Sequence, residues 1–440
     1  MSKPQGPSAE KIASTPSEFK EKVDVSHLRV GMYVCELDRP WLDSPFLLQG
    51  FHLISREDIE EVQNHCSYVY VDVKRSTKTS VSSLGGKTQK NKPGKSSPSL
   101  DKQKKQGFFS KFSGRKKTVN IQKEIRRPIQ AAETVYGDTH RLVRNVFDDI
   151  RLGSSIDTTQ AKEVVETCVH HVLENTSAML LLSNVKDKDH YTSEHCLNVS
   201  VLSIVIGKEL GMPKEKLEEI GMCGLLHDVG KVLTPDEILK KPDRLTPEEF
   251  LVMKMHPTQG RDILLNTDGI TNSALDATHG HHERLDGTGY PRGLREDQLS
   301  LSARIVGVAD CYDAITSARP YAKAQLNAEA FKVLQAGSGN HYDAKITSRL
   351  IRAIGIFPPG TAVKLSSGEI AVVVQENPEQ KLRPKVLVVK DNKNKPTTPR
   401  YLDLNEAKDK VRIIKLVSAQ KYGIDMQLFR SADFLGSITK

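Results

Sequence analysis

Aromatic residues make up only 5% of the 440 positions, with a single tryptophan, while the hydrophobic share is an ordinary 38%. That balance points to a helix-rich soluble protein. The six cysteines, Cys35, Cys66, Cys168, Cys196, Cys223 and Cys311, show no CxxC spacing. This argues against a disulfide framework and for reduced thiols in a cytoplasm. No stretch approaches the roughly 18 apolar residues that a membrane span requires. The polar start, MSKPQGPSAEKIASTPSEF, lacks the apolar core of a secretory signal. The expectation is a cytoplasmic protein of two or three domains, long enough for a substantial core.

Acidic residues are also scarce in one place. The net charge is +9, but residues 75–117 contain thirteen Lys or Arg and one acid, Asp101. That segment carries +12, so the rest of the chain sums to −3. The basic character is therefore local, and it gives no reason to expect nucleic-acid binding. The segment SSLGGKTQKNKPGKSSPSLDKQKKQ is too poor in apolar residues to fold and reads as a disordered linker over residues 75–118. Its end sets Phe108, Phe109 and Phe112 among lysines, a pattern open to peripheral contact with an anionic membrane. A solvated linker with a few anchoring aromatics is the plainer reading.

The linker divides the chain. Residues 1–22 read as a disordered tail and 23–74 as a small α+β module, with a helix near residues 55–63 and an alternating strand at 68–73. After the linker, residues 120–150 read as one long helix, a plausible place for homodimer contact, and 158–185 as a second. His170 and His171 lie on that second helix without a companion ligand and are taken as structural. From residue 357 onward apolar and polar residues alternate, with turn signals at 366–368 and 391–394. This predicts an appended antiparallel β subdomain and tail over 357–440.

The chemistry lies between these parts. An amphipathic helix presents His195 near its start, and the apolar run EEIGMCGLLHDVGKV ends in His227 and Asp228 with Lys231 just beyond. His256 sits in FLVMKMHPTQGRDIL, read as one helix, and His281 and His282 open HHERLDGTGYP. Asp310 lies in the apolar helix LSARIVGVADCYDAITSARPY, where a bare carboxylate is costly unless paired or metal-bound. One helical histidine means little. Five histidines and two aspartates at apolar helices are too many ligands for one ion that must also admit substrate. They suit a pair of ions sharing a bridging carboxylate, an arrangement used to split phosphate esters.

LLHDVGK, the HP at His256, HHERLDGTGYP and ADCYDAITSARPY together resemble an HD-GYP domain, the HD-superfamily group associated with bacterial hydrolysis of cyclic di-GMP. The resemblance covers residues 187–355, and the module at 23–73 resembles the domain of unknown function that often precedes HD-GYP. It implies a mainly α fold: an HD-superfamily helical bundle over residues 119–356, with a small N-terminal α+β domain and a small C-terminal β subdomain. It further implies that His227 and Asp228 bind metal, with Asp228 bridging two ions. His256, His281 and His282 would complete the shell of one ion, and Asp310 and His195 would serve the other. Lys231 would stabilise charge at the scissile phosphate, and a water held between the ions would attack phosphorus. Arg319 matches a position that reaches substrate phosphate. The basic position that usually follows is Ala322 here, with Lys323 next to it. Tyr290 would shape the GYP loop and contact substrate.

Some relatives carry a third-metal carboxylate where this chain has Tyr191, so two divalent ions are expected, iron or manganese by resemblance. The same resemblance makes the GYP loop the surface that meets diguanylate-cyclase (GGDEF) partners. Three functions compete at this point. The chain is an active phosphodiesterase that converts cyclic di-GMP to linear pGpG or on to GMP, a silent cyclic-dinucleotide sensor, or an HD phosphohydrolase for another nucleotide.

Overall fold

A computed structural model describes residues 20–38, 51–53, 56–73, 76, 121–151, 156–185, 191–317, 325–377, 380–407 and 411–439. The chain forms two compact units, one ending at Lys117 and the other starting at Thr118. The linker, Trp41 and the phenylalanines at 108, 109 and 112 lie outside the described residues.

In the first unit, strands β1 (Lys20–Asp24), β2 (Tyr33–Leu37), β3 (Phe51–His52) and β4 (Tyr68–Asp72) form an antiparallel sheet in the order β1-β4-β2-β3, with helix α1 at Arg56–His65. The period of two in YVYVD buries Val69 and Val71 among Val34, Leu53 and Val62. The domain boundary read at residue 23 falls inside β1 and is corrected here. Lys20, Glu21 and Lys22 pair with Asp72, Val71 and Tyr70. β1 is an edge strand, so it tolerates the charged side chains that made it look like tail.

The second unit begins with a π-helical turn, Gln122–Arg126, that runs into α2 (Arg127–Arg151). Helix α3 (Thr158–Ser183) is capped by Asp157 and kinks at Asn175, whose side chain accepts a hydrogen bond from the Ala178 backbone N–H and restarts the helix. Helices α4 (Tyr191–Glu209) and α5 (Lys214–Leu226) form the centre of the bundle, with α4 buried along most of its length. Their spacing depends on Gly224. A Cβ there would stand 2.7 Å from the Ser200 Cα, so only glycine lets the end of α5 lie this close to α4.

The stretch read as one helix around His256 is two, α7 (Pro247–Met253) and α8 (His256–Leu265), with the short α6 (Asp236–Leu239) before them. Pro257 explains the break. Proline fits the first turn of a helix but has no N–H to donate to the Met253 carbonyl four residues back, which accepts from the His256 ring instead, so α8 starts afresh. Helices α9 (Asn272–Gly280), α10 (Leu301–Thr316), α11 (Asn327–Ala336) and α12 (Ala344–Ile354) complete the bundle, with Thr271, Ser300 and Asp343 as side-chain caps.

The C-terminal strands β5 (Ala362–Leu365), β6 (Ile370–Gln375), β7 (Lys385–Lys390), β8 (Pro396–Asp403) and β9 (Ile413–Leu416) form an antiparallel sheet in the order β8-β7-β6-β5-β9. Gly368 and Asn394 take positive φ at its turns. The residues beyond β9, read only as a tail, fold back onto α2 and α4. Arg126 donates to the Gly436 and Ile438 carbonyls, and Arg430 lies 3.5 Å from Glu133 and 3.6 Å from Glu194. These contacts span hundreds of positions, so local pattern did not announce them.

Candidate metal centre

Five helices converge on one buried point. His195 comes from the second turn of α4, His227 caps the end of α5 and Asp228 follows it. His256 opens α8, His281 and His282 leave the end of α9, and Asp310 lies midway along α10. All but His282 are buried, and that residue is half-buried. Gly230 makes the junction possible, because a Cβ there would sit 2.0 Å from the His256 carbonyl oxygen. Its absence lets the 3₁₀ turn Val229–Leu233 press on the start of α8, which sets Asp228 and Lys231 beside His256.

The orientation of the imidazoles shows what the site is for. His227 Nδ1 lies 2.8 Å from the Gly224 carbonyl, His256 Nδ1 2.7 Å from Met253 O, and His281 Nδ1 2.9 Å from Thr278 O. A carbonyl only accepts, so each Nδ1 carries the proton and each Nε2 offers a lone pair to the centre. His256 Nε2 and His281 Nε2 then face each other at 3.3 Å. Two lone pairs at that distance repel unless a cation lies between them.

Other atoms repeat the message. His227 Nε2 and Asp228 Oδ1 are buried and make no hydrogen bond. Asp228 Oδ1 lies 3.3 Å from His256 Nε2 and 3.7 Å from His281 Nε2, while its Oδ2 lies 3.4 Å from His227 Nε2 and 3.5 Å from His195 Nε2. Among the described residues, ligand-type atoms fall within 4.8 Å of one another in three groups: His256, His281 and His282; His195, His227 and Asp310; His227, Asp228 and His281. Nitrogen and carboxylate donors turned inward on a dry centre fit divalent metal ions. Asp228 touches both sides of the cluster.

The electrostatics agree. Burial lowers His256 to about 3 and His281 to about 4, and also lowers His227 and His282, so these rings are neutral at pH 7 and ready to ligate. Burial alone would raise the Asp228 carboxyl, but Lys231 and the surrounding imidazoles hold it well below the usual range. Asp310 is likewise held low against burial, chiefly by His195. Burial opposes protonation of His195 too, yet hydrogen bonds to Asp228, Asp310 and Asp313 carry it up to about 10. Lys231 Nζ contacts Asp228 Oδ2 at 2.5 Å, so its ammonium stands at the edge of the centre.

The loop after His282 forms a wall. Glu283 accepts from the Arg292 and Leu294 backbone N–H groups at 2.7 and 3.0 Å and ties the loop's two ends together. Asp286 accepts from the Thr288 N–H and hydroxyl at the turn, where Gly287 has φ +80°. The Tyr290 ring stacks on His282 with centroids 4.7 Å apart. Thus Tyr290 packs directly on a residue of the cluster. Arg319 and Lys323 lie outside the described residues. His170 and His171 stand apart from the centre, with Glu174 3.4 and 3.9 Å from them.

Sequence reasoning missed Asp313. Its Oδ2 lies 2.8 Å from His195 Nδ1, and its other oxygen accepts from Asn198 Nδ2 at 3.2 Å. The signal was a second carboxylate three residues after Asp310, on the same face of an apolar helix. Asn198 in turn reaches Tyr136 of α2 at 3.4 Å.

Comparison with known proteins follows this anatomy. An HD domain matches residues 169–346, a domain of unknown function (DUF3391) matches 20–161, and a KOW domain associated with the HD domain matches 362–424. A cyclic di-GMP phosphodiesterase of Pseudomonas aeruginosa is 33% identical over 419 residues, covering 94% of each chain. A cyclic di-GMP phosphodiesterase of Thermotoga maritima is 40% identical over 173 residues, or 39% of this chain and 46% of that one. A 3'3'-cGAMP-specific phosphodiesterase of Vibrio cholerae is 41% identical over 151 residues, covering 34% of this chain and 35% of that one.

Proposed function

Because the chain belongs to the HD-GYP family of HD-domain cyclic di-GMP phosphodiesterases, we propose that it hydrolyses cyclic di-GMP to linear pGpG at the five-helix centre. The observation that carries this reading is the pair of imidazole lone pairs facing each other at 3.3 Å, flanked by the ionised Asp228. A cation between the two nitrogens relieves their repulsion. Two divalent ions held there, iron or manganese, would supply Lewis acidity and lower the pKa of water.

This chain's own groups do the rest. His256, His281 and His282 would hold one ion and His195 and Asp310 the other; His227, with its single free lone pair at Nε2, would ligate one of them, and Asp228, with two oxygens, could serve both. The carbonyl bonds to Nδ1 of His227, His256 and His281 keep those three donor nitrogens aimed inward. Lys231, with part of its side chain exposed, places a positive charge where a phosphate would sit and stabilises the charge that develops on it. Asp313 fixes the His195 ring. Tyr290 and the GYP loop shape the entrance, and the exposed part of that loop is the surface offered to GGDEF partners.

The test is turnover of cyclic di-GMP by protein purified without oxygen, with metal content measured on the same sample and Asp228→Ala as control. Hydrolysis with about two ions per chain, both lost in the variant, is the expected outcome. Bound metal with cyclic di-GMP left intact would overturn the substrate and direct attention to 3'3'-cGAMP. Absence of metal and of turnover would favour a sensor.

A further inference from the structure

Helix α7 is joined to the centre by only Lys254 and Met255, and the carbonyl of its last residue, Met253, holds His256 Nδ1. The helix buries none of its residues, and Phe250 is 43% exposed. A large part of the Phe250 ring is thus open to solvent beside the GYP loop. Yet the ring lies 6.3 Å from the Tyr290 ring, edge to face, and Tyr290 stacks on His282. His282, Tyr290 and Phe250 are therefore linked by successive ring contacts that start at the cluster. Lys254 Nζ sits over the Phe250 and Tyr290 rings, 4.8 Å from the first centroid and 5.2 Å from the second.

We infer that Phe250 and Lys254 form a guanine-recognition subsite, in which Phe250 stacks on one purine and Lys254 reads its O6/N7 edge. This rests on the proposed cyclic-dinucleotide chemistry and extends it to residues outside the metal cluster. With the scissile phosphate held at the imidazoles, a base attached to the neighbouring sugar must leave the centre along one of its walls. The wall that begins at His282 is the aromatic one. Every purine has a π-face that stacks on a ring, so Phe250 provides affinity without choosing between bases. The choice falls to the ammonium. Guanine offers two acceptors, O6 and N7, to a lysine, whereas adenine puts an amino donor in place of O6. A cation beside the ring thus favours guanine.

The experiment compares Phe250→Ala, Phe250→Leu, Phe250→Tyr and Lys254→Met with the unmodified protein. It measures KM and kcat for cyclic di-GMP, 3'3'-cGAMP and cyclic di-AMP, together with equilibrium binding of cyclic di-GMP. Because α7 is exposed, these variants should fold. The Ala and Leu variants should raise KM and weaken binding about tenfold, the loss of one stacking contact, with kcat nearly unchanged and Tyr restoring both. Lys254→Met should reduce the preference for cyclic di-GMP over cyclic di-AMP about tenfold. If leucine serves as well as phenylalanine, the ring merely covers Tyr290 and the stacking role is overturned. An unchanged base preference in Lys254→Met overturns the reading role. Unmodified protein that binds cyclic di-GMP through Phe250 without cleaving it would sink the hydrolase reading and leave the subsite standing. Failure to bind or cleave any of the three would sink both.

Discussion

His195 Nδ1 and Asp313 Oδ2 meet at 2.8 Å in a fully buried contact between α4 and α10. This bond decides which nitrogen of His195 faces the centre. The carboxylate accepts a hydrogen bond from Nδ1–H, so Nε2 points at Asp310 and Asp228, 3.1 and 3.5 Å away. Asp313→Asn can present its amide group instead and favour the wrong tautomer. It is expected to lower metal affinity about 10- to 100-fold, the usual cost of removing a partner that orients a ligand. Metal titration followed by elemental analysis checks this. Unchanged occupancy together with unchanged turnover would show that Asp313 serves only packing.

Lys231 separates metal binding from chemistry. Its ammonium touches Asp228 but is no ligand, so Lys231→Met should retain the ions. It should lower kcat about 10²- to 10³-fold, as loss of one fixed charge-stabilising donor does. Metal content and steady-state kinetics on one preparation distinguish this from Asp228→Ala, where ions and activity go together. If Lys231→Met lost its metal, the ammonium would belong to the architecture of the centre and not to the reaction.

The parts legible in sequence were those whose meaning lies within a few residues. His227-Asp228, HHERLDGTGYP and a carboxylate inside the apolar helix of Asp310 each announce a cost that some partner must offset. The C-terminal strands were legible through alternation and turn residues. Asp313 was not, because its role depends on the register of α10 against α4. Phe250 and Lys254 look like ordinary surface positions until α7 is laid beside the GYP loop. The break before His256 was written in Pro257, but the continuous apolar pattern FLVMKM outweighed it. β1 was hidden because an edge strand has little apolar content to show.

Gly230 gives a prediction about assembly of the site. A Cβ added at this position would meet the His256 carbonyl oxygen at 2.0 Å, and no rotamer change relieves that clash, since the obstacle is backbone. Gly230→Ala should push the 3₁₀ turn away from α8, at a cost of roughly 2–3 kcal/mol in stability. It should also reduce metal occupancy, because Asp228 and His256 separate. Thermal unfolding with and without metal is the measurement. A variant as stable and as fully loaded as the parent would mean that the junction is softer than its packing suggests.

The shifts among the histidines oppose one another, and metal uptake should reveal it. His256 and His281 fall to about 3 and about 4 from an ordinary 6.5, so below pH 6.5 the unfolded chain binds protons that the folded chain refuses. Metal-free protein therefore loses stability as pH drops through that window. His195 behaves in the opposite sense. Raised to about 10, it contributes stability in full below 6.5 and loses it as pH climbs toward 10. The metal-free protein should thus be most stable near pH 6.5, with Tm falling roughly 5 °C or more by pH 4.5. At pH 7 only His195 of these three carries a proton that an incoming ion must displace. Calorimetric titration of metal in buffers of different ionisation enthalpy should then report release of about one proton per chain. Release near zero would mean that His195 is already neutral in the metal-free protein and that Asp313 acts on it by hydrogen bonding alone.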